Sequence, residues 1–103
     1  MNHDPFDLAG QEAARDEKQD RARLEAQVEA DDIKWLMGSK RGRRIVRRLL
    51  ERFGIWKSSF HPDALTMAFN EGRRNEGLAL LAQVTGNSPD RYAEMLKEKS
   101  NAT

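Results

Sequence analysis

The sequence predicts an all-α protein, a small bundle of three to four helices preceded by an N-terminal arm that is helical or flexible. Three observations predict it. No segment alternates apolar and polar residues over a useful length, no Asn-Gly or Asp-Gly turn joins two β-branched runs, and the apolar residues recur at helical spacing between cap residues. A chain of 103 residues has room for one small domain, and 34% charged residues against 38% hydrophobic ones imply that part of it stays unpacked.

Residues 1–8, with Pro5 and Phe6, read as an extended lead-in. From about Asp7 to Ala30 the composition turns to Ala, Glu, Gln, Asp and Arg, with only Leu8, Leu24 and Val28 large and apolar. Such a segment forms helix readily but buries too little to offset its ordering entropy, so it is exposed or depends on a partner. Docking on its own domain through Leu24 and Val28 is the alternative. The organisation that follows is an acidic arm over 1–30, a helical domain over 31–99 and a disordered tail over 100–103.

The domain opens with "DDIKWLMG", where Asp31 and Asp32 suit a helix start, Ile33, Trp35, Leu36 and Met37 supply apolar surface, and Gly38 ends the segment. Whether this is a separate short helix or the end of the arm stays open. Ser39 can cap a second helix that runs to Phe53 and is closed by Gly54. At about 100° per residue, Ile45, Val46, Leu49, Leu50 and Phe53 share one arc and Lys40, Arg41, Arg43, Arg44, Arg47, Arg48 and Arg52 the other.

The connector "GIWKSSFHP" carries Trp56 and Phe60 as apolar anchors, Trp56 being either a lid over the core or a contact residue. A long helix from about Ala64 to Val84, ended by Gly86, should be the most buried of the bundle, because Leu78, Leu80, Leu81 and Val84 surround its axis. Gly72 and Gly77 within it suggest close approach by a neighbour, or a kink. The last helix is announced by Ser88 at the cap and Pro89 at the first helical position, with Tyr92, Met95 and Leu96 facing inward and "SNAT" trailing off.

Chemistry is hard to place on this chain. There is no cysteine, so disulfides, thiolate metal sites and thiol catalysis are excluded. The two histidines, His3 and His61, have no second ligand at helical spacing, and Asp31 with Asp32 reads as ordinary helix-start acidity rather than a cation site. No nucleophile has a positioned base, and "KRGRR" is not a phosphate-cradling loop. The expectation is a protein that is not an enzyme and uses no cofactor, metal or small-molecule substrate. No apolar run approaches the roughly 20 residues of a membrane span, and the N-terminus lacks the basic start and apolar stretch of a secretion signal. A protein made in the cytoplasm, away from membranes, is expected.

Charge is the informative feature. Residues 1–30 hold four basic and eight acidic side chains, whereas residues 39–57 hold eight basic side chains against the single acid Glu51. The total of +1 therefore hides an acidic arm and a basic helix. Arg41, Arg43, Arg44, Arg47, Arg48 and Arg52 fit three roles: backbone-directed contact with nucleic acid, pairing with carboxylates of another protein, or a solvated face. Base-specific readout is disfavoured, since no Asn or Gln stands among them and no helix-turn-helix is recognisable. A second cluster, Glu71, Arg74, Asn75 and Glu76, falls in a helix expected to be buried, and reads as a hydrogen-bonded polar layer in which Glu71 or Glu76 pairs with arginines of the basic helix.

Taken together, "DIKWLMGSKRGRRIVRRLLERFGIWKSSF", "FNEGRRNEGLALLAQV" and "RYAEMLKE" resemble a family of small proteins encoded among the virion structural genes of tailed, mainly short-tailed, bacteriophages. The resemblance covers about residues 31–98, and rests most on Asp31 to Leu36, Arg41-Gly42-Arg43-Arg44, Ser58-Ser59-Phe60 and the Glu71-to-Gly77 core. It implies a virion component without an enzymatic activity to carry over, in contact with portal, capsid or tail proteins or with itself. The sequence-level expectation is a minor structural protein of a phage particle acting through protein–protein contacts at the six arginines with Trp56 and Phe60. The alternative is a non-specific DNA-binding protein that accompanies the packaged or ejected genome.

Overall fold

The structure is a computed structural model that describes residues 7–101. Residues 1–6 of the lead-in expected over 1–8, with His3, and the last two residues lie outside them, and Leu8 belongs to the first helix instead of to an extended lead-in. Four helices follow in order: α1 (Leu8–Met37), α2 (Lys40–Phe53), α3 (Ala64–Asn87) and α4 (Pro89–Asn101), with no strand among the described residues. The chain is all-α, as the sequence predicts. It divides into two compact units between Asp31 and Asp32.

The first unit is helix. Asp7 starts it, its carboxylate accepting from Gly10 N at 3.0 Å and its carbonyl from Gln11 N at 3.1 Å. Leu8, Leu24 and Val28 are exposed. Helix-favouring composition and local pairs, Arg23 with Asp20 and Gln27 with Asp31, support it in place of a core. Asp31 and Asp32 lie inside α1 instead of opening a helix, because nothing between Ala30 and Ile33 breaks the backbone.

The second unit begins inside α1 and holds the core: Met37, Val46, Leu50, Ile55, Val84 and Met95, with Ile33, Leu36, Phe53, Leu78, Leu80, Leu81 and Tyr92 packed around it. Between α1 and α2 the chain reverses over Gly38 and Ser39. Ser39 caps α2, its Oγ accepting from Gly42 N at 3.0 Å. Gly42 then passes so close to the Leu36 carbonyl that a β-carbon there would overlap it. Gly54 ends α2 at φ 72°, a left-handed conformation that glycine adopts without steric cost. Asp63 caps α3 by accepting from Thr66 N at 3.0 Å.

Several burial expectations are corrected. Trp35 is 81% exposed, and Ile45 and Leu96 sit at the margins of their apolar arcs and are exposed. The first half of α3 is not interior: Leu65 and Phe69 are exposed, and packing begins at Gly77, where a β-carbon would lie 2.5 Å from Phe53 Cβ. Gly77 thus has the expected close neighbour, whereas Gly72 has open space. α3 also passes through Gly86 to Asn87, because nothing at Gly86 forces a left-handed turn; only Gly54 among the described glycines has positive φ. Ser88 alone separates α3 from α4, donating to the Val84 carbonyl at 2.8 Å and accepting from Tyr92 N at 2.9 Å. α4 takes in Ser100 and Asn101, where a trailing tail was expected.

Candidate protein-interaction surface

α2 presents the basic residues, and burial sorts them into two groups. Arg43 is not on the outer face. It stands at i, i+3 and i+7 with Val46 and Leu50, so the helix turns it inward, and its side chain is 6% exposed. A guanidinium there needs partners for its donors, and it has them. Nε donates to Glu98 at 2.7 Å, Nη1 to the Met37 carbonyl at 2.9 Å and Nη2 to Glu94 at 3.3 Å. Arg43 therefore joins the end of α1 and the face of α4 to α2. Its charge is spent within the fold.

Arg47, one turn on, is half-way between the groups. Its Nε donates to Glu51 at 3.0 Å, and Glu51 also accepts from Lys99 Nζ at 2.8 Å. The Lys99 bond first, then the charges of Lys99 and Arg47, hold the Glu51 carboxyl below its ordinary pKa against the opposing effect of desolvation. Glu94 is lowered likewise, chiefly by the bond from Arg91, with the charge of Arg43 adding to it.

Arg41, Arg44, Arg48 and Arg52 form the second group. They are exposed, and no carboxylate lies within ion-pair distance of them among the described residues. Arg44 and Arg48, with Lys40 and Lys99, edge a groove of about 260 Å³ between α2 and α4 whose lining also includes Met95 and the internally paired Glu51 and Glu98. The helix holds these cations on a rigid face, which lowers the entropy lost when they meet a partner.

The connector does not anchor as expected. Ile55, at 6% exposure, is the residue that enters the core, and its N–H bonds back to the Leu50 carbonyl at 3.4 Å. Trp56 is 47% exposed and Phe60 72% exposed, because the turn that follows the left-handed Gly54 directs Ile55 inward and leaves its successors outside. His61 has a local task, its Nδ1 accepting from Asp63 N at 3.0 Å.

The expected buried polar layer is absent. Glu71, Asn75 and Glu76 are exposed, and only Arg74 is partly buried. They lie before Gly77, on the turns of α3 that pack least, so the arginines of α2 find their carboxylates on α4 instead. Glu71 accepts from Ser59 Oγ in the connector. Sequence reasoning missed Glu94 and Glu98, although a signal existed: two glutamates at i, i+4 flank Met95 on the one apolar face of a short helix. Among the described residues no group of His, Asp and Glu could hold a metal ion, and no helix is long and apolar enough to cross a membrane.

Residues 33–97 match the family model described as Bbp19-like phage protein, which is more than half of the chain. The chain belongs to the Bbp19-like phage protein family. No curated protein and no solved structure matches it. In this Bbp19-like chain the matched segment runs from the last turns of α1 to near the end of α4, and so contains Arg43, Glu94 and the unpaired arginines of α2. Glu98 follows it directly.

Proposed function

We propose that this Bbp19-like protein is a non-enzymatic structural component of the phage particle, working through contacts with other virion proteins (portal, capsid or tail) or with further copies of itself. The observation that carries this reading is the composition of the surface. Unpaired Arg41, Arg44, Arg48 and Arg52 are accompanied by exposed Trp35, Trp56, Phe60 and Phe69. Arginine and aromatic side chains are the types enriched where proteins meet, and exposed aromatic groups of this size are stabilised by burial against an apolar partner. The partner surface for α2 is acidic, and arginine forks suit carboxylates.

The test is incorporation. The protein is expected at fixed stoichiometry in purified particles, and its absence from them removes the reading. Arg44→Glu with Arg48→Glu changes two exposed side chains that make no internal ion pair, so the fold and its unfolding midpoint should hold while incorporation falls. Normal incorporation of that variant removes α2 as the contact. The second reading, binding to the DNA backbone, is favoured by the same unpaired cations. Retention of duplex DNA at about 100 mM salt, weakening steeply as salt rises, supports it.

A further inference from the structure

A different face of the second unit carries a feature that the α2 surface does not use. The end of α2, the connector and the first half of α3 enclose a pocket of about 170 Å³ whose polar lining includes Lys57, Ser58, Ser59, Asn70, Arg73 and Arg74. No carboxylate lines it. Neither Lys57 nor Arg73 nor Arg74 stands within ion-pair distance of a carboxylate among the described residues. The charge of Lys57 also acts on Glu51, but the three like charges around this small space still repel one another, and an anion placed among them relieves that repulsion.

The donors are also incompletely used. Arg74 Nε is out of reach of solvent and has no hydrogen-bond partner, an unusual state for a guanidinium nitrogen. Arg73 makes one long bond, 3.5 Å, to Asn70 and otherwise lies over the Phe69 ring. Ser58 Oγ accepts from Phe60 N at 3.1 Å, which leaves its own proton free to donate. Ser59 is the exception, since its hydroxyl is given to Glu71.

We propose that this pocket binds a phosphate group, held by Lys57, Arg73, the guanidinium of Arg74 and the hydroxyl of Ser58. A doubly charged anion with acceptor oxygens on every side matches three cations and donors that come from two chain segments. The pocket is smaller than the roughly 300 Å³ at which sites for drug-sized ligands begin, so it admits one phosphate group and not a whole nucleotide. The group can come from free phosphate or from a nucleic-acid backbone. The proposal is independent of the virion reading.

Phosphate stabilises most proteins by exclusion from their surface, so a raised melting temperature does not discriminate. The test is a titration of inorganic phosphate into the isotope-labelled full chain, followed by amide and arginine Nε–H resonances against sodium chloride at matched ionic strength. Saturable shifts at Gly54, Lys57, Ser58 and Arg74 Nε–H are expected. Lys57→Ala with Arg73→Ala, two exposed positions, should weaken binding about tenfold or more, while Arg44→Gln on the outer face of α2 leaves it unchanged. Shifts that do not saturate, that chloride reproduces, that fall elsewhere, or that persist with equal affinity in the double variant overturn the proposal. A short DNA duplex added to the phosphate-bound protein distinguishes the sources. Displacement of phosphate with shifts at the same residues assigns the site to a nucleic-acid backbone, and undisturbed resonances assign it to free phosphate.

Discussion

Arg43 Nε donates to Glu98 Oε1 at 2.7 Å, tying the core-facing side of α2 to α4 across 55 residues of sequence. The same guanidinium satisfies the Met37 carbonyl at the end of α1. One side chain thus fixes three helix segments of the second unit, in a place where a solvent-facing cation was expected.

Removing Glu98 should be expensive because it leaves Arg43 charged and 6% exposed. Breaking a buried pair costs about 3–5 kcal/mol. Glu98 is itself 22% exposed and Glu94 remains, so Glu98→Ala is expected to lose about 2–3 kcal/mol. Arg43→Leu should destabilise too, since the Met37 carbonyl loses its donor, and Glu98→Ala should then add little. Urea unfolding of the four-member cycle measures this. A Glu98→Ala loss within about 0.5 kcal/mol means that the pair carries no stability.

Acid should weaken the fold. Glu51, lowered chiefly by its bond from Lys99, Glu94, lowered chiefly by Arg91, and Asp63, lowered chiefly by the Thr66 hydroxyl, all have folded-state pKa values below their ordinary ones. Their contribution is complete above the unfolded values and disappears as pH falls through the folded values. The unfolding midpoint is therefore expected to be flat near neutrality and to fall below about pH 4. Lys99→Gln should return Glu51 toward its ordinary value, read from its side-chain carboxyl resonance. An unchanged Glu51 titration removes Lys99 as the cause.

What was legible in the sequence followed from local chemistry. Ser39 and Gly54 bound α2 and Ser88-Pro89 open α4, because caps act over one turn and need no knowledge of the rest of the chain. The wheel of α2 placed Val46 and Leu50 correctly in the core, but assigning Arg43 by residue type instead of by angle hid the inward cation. Trp35, Ile45 and Leu96 read as inward-facing on hydrophobicity and are exposed, because hydrophobicity does not say whether the surface that covers a residue belongs to its own chain. The glutamates of α4 were invisible for a further reason: their partner lies far away in sequence, and periodicity reports only on the helix that carries it.

The connector offers a direct contrast between neighbours. Ile55 is 6% exposed within the core cluster, and Trp56, the larger side chain, is 47% exposed. Ile55→Ala removes buried methyl groups and should lose about 2–4 kcal/mol. Trp56→Ala should change stability by less than about 1 kcal/mol, leaving any effect of that variant to partner contact. Thermal unfolding of both variants checks the order. A larger loss at Trp56 would make it, after all, a lid over the core.

The glycines of α3 should respond with opposite signs. At Gly77 a β-carbon would stand 2.5 Å from Phe53 Cβ and 2.6 Å from Ile55 Cγ2, and both neighbours belong to the packed junction of α2, the connector and α3. Overpacking there is worth about 1–3 kcal/mol. Alanine gains back about 1 kcal/mol of helix propensity at most, so Gly77→Ala should be destabilising on balance. At Gly72 no atom lies within 4 Å of the added carbon and φ is not positive, so only the propensity gain remains. Gly72→Ala should therefore stabilise by about 0.5–1 kcal/mol. Urea midpoints of the two variants, compared with the parent chain, carry the test. Equal shifts in the same direction would mean that α3 does not approach α2 and the connector at Gly77 as closely as this packing requires.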